Sequence, residues 1–125
     1  MVSNEKLISF LLILAAICLT VTGELFLKSG MNRVGVVGLD RLLATVDRML
    51  RTPQLWAGLA FVAVGACFWL AAISRAHLSW AYPILSLGYI LVLLFSRIVL
   101  AEPVGWIRWV GTAIIMTGVY LVFRS

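Results

Sequence analysis

Charged residues are scarce in this sequence, and their scarcity decides the class of protein. Asp, Glu, Lys and Arg together make up 12% of the 125 residues, whereas hydrophobic residues make up 63%. The mean hydropathy is +1.10. A soluble globule of this size needs far more polar surface. The composition therefore excludes a soluble globular fold and predicts an integral membrane protein.

Residues that build metal sites, disulfides and catalytic centres are also rare. The single histidine, His77, falls in a predicted turn, and Cys18 and Cys67 lie inside apolar runs without paired or metal-type spacing. The chain has no Ser/His/Asp set and no phosphate-cradling loop, since Gly35 and Gly38 form only a flexible pair of glycines. We therefore expect no catalytic residue, no metal site and no cofactor, in a protein that is not an enzyme.

The net charge of +5 could suggest a nucleic-acid partner, but the basic residues stand at the ends of apolar runs. There they meet lipid headgroups and set the orientation of the helices, so we expect membrane lipid around the chain and no nucleic acid. The unequal distribution predicts that both termini face the periplasm and argues against equal insertion in both orientations. One side carries Lys6, Arg75 and Arg124, and the other carries Lys28, Arg33, Arg41, Arg48, Arg51, Arg97 and Arg108.

Four hydrophobic runs are long enough to cross a bilayer core of roughly 30 Å as α-helices. The predicted fold class is all-α integral membrane, with four transmembrane helices and one short interfacial amphipathic helix between the first and second. The first run is retained as a helix rather than cleaved, because no small-x-small cleavage site precedes Glu24. One domain over residues 1–125 contains the predicted helices 7–30, 54–74, 80–99 and 104–123 and the interfacial helix 39–51.

The interfacial helix is predicted from the spacing of its leucines. Between residues 39 and 51, apolar side chains recur at helical intervals while Asp and Arg fall on the other side. This pattern is typical of a helix whose apolar face meets acyl chains and whose arginines meet phosphates. A solvated helix that packs on the bundle is the alternative.

Glu24 and Lys28 place two charges inside the first hydrophobic run. A central charge costs about 2.5–3.5 kcal/mol on insertion scales, so such a side chain normally faces the interior of a bundle or a polar cavity. The two residues are spaced i, i+4 with the acid first, the favourable order for an ion pair on one helix face. We therefore predict a Glu24–Lys28 pair in a charged cavity. The alternative is that both side chains extend to the headgroups at the helix end.

The third hydrophobic run carries a polar stripe. Tyr82, Ser86 and Tyr89 stand at i, i+4 and i+7, which places them on one helix face. In lipid such a face turns inward, so we predict that it forms the cavity wall opposite Glu24; ordinary hydrogen bonding between helices is the alternative. Pro83 is expected to bend the start of this helix.

Small residues in the second run predict a tight helix contact. Gly58, Gly65 and Ala72 repeat every seven residues on one stripe. In lipid, where packing rather than hydrophobic sorting drives association, such a stripe lets another helix approach closely.

Several stretches together resemble the small multidrug resistance, EamA-like branch of the drug/metabolite transporter superfamily. These stretches are Gly23–Gly30 (GELFLKSG), Ala81–Leu87 (AYPILSL), Ala101–Pro103 (AEP), Trp109–Gly111 and Gly118–Val119. Within the superfamily, the chain is most similar to the four-helix flippase subunits that move aminoarabinose-phosphoundecaprenol. The resemblance extends over all four helices.

The resemblance implies a flippase for a polyprenyl-phosphate-linked monosaccharide in the bacterial cytoplasmic (inner) membrane. Such a lipid has a long apolar tail, one phosphodiester and a polar head, so a small bundle has to shield only the head and the phosphate. Lys28 would neutralise the phosphate, with Arg97 or Arg33 as a further cation. Hydrogen bonds to the sugar are expected from Glu24, Tyr82, Ser86 and Tyr89.

Two other functions stay open at this point. One is a proton-coupled antiporter of small cations or drugs, whose essential glutamate lies three residues before the glycine that matches Gly23. Thr20 stands there instead and cannot titrate, although Glu24 follows one helical turn later. The other is a non-transporting membrane subunit that scaffolds a partner, for which the charges at Glu24 and Lys28 would be dispensable.

The last hydrophobic run predicts association between chains. Gly111 and Gly118 are seven residues apart in a stretch that resembles the dimerisation stretch of the small multidrug resistance proteins. Small residues permit close helix contact in lipid, and four helices alone enclose little volume. We expect a homodimer, or a heterodimer with a similar small membrane chain.

Overall fold

A computed structural model of the protein describes residues 4–125, in which every regular element is helical. The elements are α1 (Asn4–Val34), a 3₁₀ turn (Leu39–Arg41), α2 (Leu42–Leu50), α3 (Pro53–Ile73), α4 (Leu78–Leu85), α5 (Gly88–Ile98) and α6 (Trp106–Arg124). In this part of the chain, four helical units are long and apolar enough to cross a membrane: α1, α3, α4 with α5, and α6. The predicted fold class is confirmed, and the chain is a multi-pass membrane protein.

Helix α1 is longer than the hydrophobic run from which it was predicted. It has 31 residues, about 46 Å at helical rise, and it continues beyond residue 30 into a polar last turn that contains Arg33. Gly35 ends it, with a φ of 95° and an N–H that donates to the Met31 carbonyl at 2.8 Å. A left-handed glycine is a common helix terminator, because it lets the chain turn away without a Cβ clash.

The predicted amphipathic helix between the first two spans is present as the 3₁₀ turn and α2. Arg48 ties it to the end of α1 by donating to the Val34 carbonyl at 3.3 Å. Leu39 and Leu43 are 90% and 87% exposed. Leucine side chains that are this exposed are more stable against acyl chains than in water. Their exposure favours a helix at the membrane interface over a solvated helix that packs on the bundle.

The contact between α1 and α3 is the tightest in the bundle. A Cβ added at Gly58 would lie 2.7 Å from the Gly23 carbonyl oxygen, and one added at Gly23 would lie 2.7 Å from the Gly58 oxygen. The two backbones therefore touch, which only glycine permits. The predicted stripe in α3 is confirmed, since Gly58, Gly65 and Ala72 are all buried.

The third span is two helices rather than one. Pro83 lies inside α4, but the break comes later, between Leu85 and Gly88. Proline removes one N–H from the helical ladder, and the following N–H groups bond three residues back: Ser86 donates to Pro83 at 3.1 Å and Tyr89 to Ser86 at 2.9 Å. The bend is therefore three residues further along than the sequence predicted.

Helix α6 is attached at one end only. Its Phe123 ring contacts Phe10 of α1 at 5.0 Å and Trp80 of α4 at 6.1 Å between ring centroids. Within α6, Val119 is the buried residue. Towards Trp106 the helix separates from α5, and a groove opens between them.

Candidate functional site

A cavity of about 340 Å³ lies between α1 and the third span, beside the break between α4 and α5. Its volume is at the lower end of the range for small-molecule sites. Most of the wall is apolar, with few polar groups, as in typical binding sites. The lining residues are Ile17, Thr20, Val21, Glu24, Tyr82, Leu85, Ser86, Gly88, Tyr89 and Val92.

Four residues chosen from the sequence meet in this cavity: Glu24, Tyr82, Ser86 and Tyr89. They come from α1 and from both sides of the helix break, since Tyr82 lies in α4, Ser86 in the turn and Tyr89 in α5. Edge-on packing against Trp69, with 5.3 Å between ring centroids, holds the Tyr82 ring. The hydroxyl of Ser86 donates to the Pro83 carbonyl, so its oxygen remains able to accept from a ligand.

The predicted Glu24–Lys28 ion pair is wrong. The Lys28 ammonium instead lies 3.9 Å from a carboxylate oxygen of Glu102, in the connection between α5 and α6. Lys28 is one turn nearer the helix end than Glu24, and its longer side chain reaches that connection. Over residues 4–125, the carboxylate of Glu24 has neither a hydrogen-bond nor an ion-pair partner.

Two further spaces adjoin the cavity. One of about 290 Å³ is lined by Glu24, Lys28, Ser96 and Glu102 among others, and one of about 400 Å³ lies between α5 and α6. Val92 lines all three, so we treat them as one groove. The groove runs from the polar stripe past Glu24 to the Lys28–Glu102 pair and then to the gap beside α6.

Arg97, which the sequence suggested as a phosphate ligand, is exposed and is not among the residues that line the groove. Arg108 near the start of α6 lines the space between α5 and α6, and its guanidinium donates to the Pro103 carbonyl at 3.3 Å. Sequence reasoning passed over Arg108 and Glu102 as site residues. The sequence feature that could have identified them is a pair of opposite charges on either side of Pro103. This pair lies at the end of the bundle where Lys28 lies.

The backbone around Glu102 is held in an unusual conformation. Ala101 has a φ of 55°, a left-handed conformation that costs a non-glycine residue about 1–3 kcal/mol. The Glu102 N–H donates to the carbonyl of buried Ser96 at 3.0 Å. These two features fix the point from which the Glu102 side chain extends toward Lys28.

Gly111 and Gly118, the predicted contact residues of the last span, are exposed on α6. A Cβ added at either one would meet nothing within 4 Å. Within the described part of the chain no other element packs against either glycine, although Gly111 lines the space between α5 and α6.

Comparison with known proteins gives relatives that match over nearly their whole length. Three of them are named probable 4-amino-4-deoxy-L-arabinose-phosphoundecaprenol flippase subunit ArnE. The chain is 32% identical to that of Pseudomonas savastanoi pv. phaseolicola over 117 residues, which is 94% of this chain and 98% of the relative. It is 33% identical to that of Pseudomonas aeruginosa over 91% of this chain and 96% of the relative.

The relative from Aeromonas hydrophila is 32% identical over 90% of this chain and 95% of its own length. This chain belongs to the family of ArnE flippase subunits. The family that the motifs suggested is thereby confirmed. The relatives are named as subunits of a transporter, not as enzymes. No family model matches the chain, and no solved structure matches it.

Membership of this flippase family agrees with the presence of Thr20 at the position where the drug antiporters carry their essential glutamate. Thr20 and Glu24 both line the cavity, one helical turn apart on α1. The Thr20 hydroxyl lies against α3, since a Cβ on Gly65 would come within 2.6 Å of its oxygen. The position that carries the glutamate in the drug antiporters thus packs against a neighbouring helix in this chain, and Glu24 supplies the carboxylate of the cavity.

Proposed function

We propose that this chain is a subunit of a flippase that moves a polyprenyl-phosphate-linked amino sugar across the bacterial cytoplasmic membrane. The observation that carries the proposal is the unpartnered carboxylate of Glu24 in the cavity, with the Lys28 ammonium further along the same groove. A carboxylate within a membrane-spanning helix is stabilised by a cationic or donor partner, and an amino sugar supplies one. The ammonium of Lys28 would bind the phosphate.

The shape of the groove suits a lipid with a small polar head. The sugar would occupy the 340 Å³ cavity, where Tyr82, Ser86 and Tyr89 offer hydroxyl groups to its own hydroxyls. The phosphate would lie in the adjoining space beside Lys28. The prenyl tail would leave through the gap between α5 and α6 into the bilayer, so the protein need not enclose it.

No covalent bond changes in this proposal, so it requires neither a nucleophile nor a metal-binding set. Among residues 4–125, no group of three or more His, Cys, Asp or Glu side chains is arranged to hold a metal ion. The groove has only to replace the hydration of one ammonium and one phosphate while the head crosses the membrane. Charge-assisted contacts from Glu24 and Lys28 are suited to that exchange.

The direct test is the appearance of the lipid on the outer leaflet. In cells that make the amino-sugar lipid, a membrane-impermeant amine reagent labels the molecules that have crossed. Deleting the chain should strongly reduce this labelling while the total amount of lipid stays the same. Wild-type protein should restore the labelling and the Lys28→Met variant should not. Unchanged labelling in the deletion strain would overturn the proposal.

We propose that the working unit contains a second small chain, a copy of this one or a similar partner, packed on the glycine face of α6. Replacing Gly118 with Leu should leave membrane insertion intact and abolish crosslinking between chains, because the side chain would fill the contact. The matched control is Ala113→Leu, exposed on the opposite face of α6. If Gly118→Leu crosslinks as wild type does, the contact is elsewhere.

We further propose that both termini face the periplasm. Lys6 donates to the carbonyl of Ser125 at 2.5 Å, and Arg75 lies 3.5 Å from Glu5, so these basic residues share one end of the bundle. Lys28 lies at the opposite end with the larger set of cations, which normally stays in the cytoplasm.

The orientation is checked by cysteine labelling in a background without Cys18 and Cys67. Single cysteines at Ser125 and at Ser3, which is outside the residues that the structure describes, should react with an impermeant reagent added from the periplasm. A cysteine at Arg51 should react from the cytoplasm only. Labelling of the terminal cysteines mainly from the cytoplasm would reverse the assignment.

A further inference from the structure

We propose that Glu102 acts as an internal substitute for the lipid phosphate: it holds Lys28 while the groove is empty and releases it when the phosphate enters. The inference rests on the proposed function for the nature of the lipid. It adds a residue that sets the specificity of the site and a contact that has to exchange in each cycle.

The geometry of the pair suits exchange. The two charged atoms are 3.9 Å apart, which is beyond the range of an N–H···O hydrogen bond, so the attraction is electrostatic and loose. The side chains are 53% and 37% exposed, for Lys28 and Glu102 respectively. Both line the 290 Å³ space that adjoins the sugar cavity. A phosphate that arrives in this space can approach Lys28 more closely than Glu102 does.

The position of Glu102 is determined by its backbone rather than by Lys28. The left-handed Ala101 and the bond from the Glu102 N–H to Ser96 anchor the residue to the end of the third span. The point from which the Glu102 side chain extends is therefore fixed whether or not Lys28 is near it, while the carboxylate itself remains free to rotate. Conformational strain beside a charged residue in a cleft is common where position matters for function.

The charges along the groove explain what the exchange would select. Glu102 lines the space that contains Lys28 and also the space that contains Arg108, so its carboxylate shares the groove with cations from two different helices. An anionic group that replaces it restores the balance of charge, whereas a neutral or cationic head does not. Glu102 thus competes with a phosphate for Lys28 and keeps that ammonium from standing alone in the membrane.

The test is the binding of undecaprenyl phosphate to the purified full-length chain, measured by native mass spectrometry. Glu102→Gln should bind this lipid about two- to fivefold more tightly than wild type, as expected when a half-exposed competing ion pair is removed. In a Lys28→Met background the same change should give no gain. Glu5→Gln is the matched control, because Glu5 pairs with Arg75 at the other end of the bundle and should leave affinity unchanged.

A second measurement follows Lys28 itself. In lipid-free protein, a small amine-acylating reagent should modify Lys28 faster in Glu102→Gln than in wild type, and undecaprenyl phosphate should protect both. Phosphatidylglycerol serves as the comparison lipid. If it protects Lys28 as well as undecaprenyl phosphate does, the exchange accepts any lipid phosphate and the polyprenyl specificity is wrong.

The outcomes separate this inference from the function on which it rests. If wild type binds undecaprenyl phosphate and Glu102→Gln binds it equally or less well, the substitution of Glu102 by phosphate is wrong and the flippase proposal stands. A gain that persists without Lys28 would also overturn the inference. If no variant binds the lipid, the proposed function and the inference fail together.

Discussion

Lys28→Met is expected to weaken the binding of undecaprenyl phosphate about ten- to a hundredfold, whether or not the lipid carries a sugar. A charge-assisted contact at a partly desolvated site contributes roughly 1.5–3 kcal/mol, and that range sets the factor. Lys28 is the ammonium of α1 that lines the groove. Methionine keeps much of the length of the side chain and its apolar contacts. A loss of affinity in this variant is therefore due to the missing charge.

Glu24→Gln should behave differently from Lys28→Met. Glutamine keeps the shape of the side chain and its hydrogen-bonding reach but loses the charge, so binding should weaken chiefly for a lipid with an amino sugar. The measurement is binding of sugar-free and amino-sugar-bearing lipid phosphates to wild type and both variants. If Lys28→Met binds both lipids as wild type does, the phosphate role is wrong. Equal losses for both lipids in Glu24→Gln would contradict the ammonium contact.

The second large effect is expected at the contact between α1 and α3. Gly58→Ala should destabilise the chain by about 1–3 kcal/mol or prevent its accumulation, because the new Cβ would meet the Gly23 carbonyl at 2.7 Å and Leu27 Cγ at 2.8 Å. Leu27 can rotate away, but the backbone oxygen can only move with α1. The measurement is the thermal unfolding temperature in detergent.

Gly118→Ala is the matched control for that substitution, measured on the monomeric fraction so that the proposed contact between chains plays no part. It makes the same change inside a helix, but its Cβ would meet nothing within 4 Å. Alanine is the better helix former, so the unfolding temperature should stay the same or rise slightly. Equal stability of the two variants would show that α1 and α3 do not touch at Gly58.

The spans and the cavity beside Glu24 could be predicted from sequence because both depend on local periodicity. A run of about 20 apolar residues is sufficient to identify a membrane helix. The spacing of Tyr82, Ser86 and Tyr89 places them on one face wherever the helix lies, and a polar face in lipid must turn inward. The same reasoning placed Glu24 opposite them, and the structure brings all four together.

The end of the groove around Lys28 could not be predicted because it depends on contacts between distant elements. Glu102 is 74 positions from Lys28 in the sequence. The left-handed residue that precedes it is Ala101, and because it is not a glycine, nothing in the sequence indicates the turn. The i, i+4 rule for helices suggested Glu24 as the partner of Lys28, but that rule describes isolated helices. In the bundle, tertiary packing supplied a competing carboxylate.

Arg97 and Arg108 illustrate the same limit. Both arginines are near the end of the bundle that contains Lys28, and the sequence alone does not show which of them lines the groove. The position of α6, which is attached near Phe123 and separates from α5 towards Trp106, decides which arginine lines the groove. That separation comes from packing at one end and has no signature in the periodicity of the helix.

The most direct test of the central claim is the identity of the lipid that purifies with the protein. Lipids extracted from the gently solubilised chain, with any partner chain that accompanies it, are read by mass spectrometry against the bulk membrane. We predict enrichment of a polyprenyl phosphate linked to an amino sugar, reduced in Glu24→Gln and lost in Lys28→Met. A wild-type extract that contains only bulk phospholipid, from cells that make the amino-sugar lipid, would contradict the account.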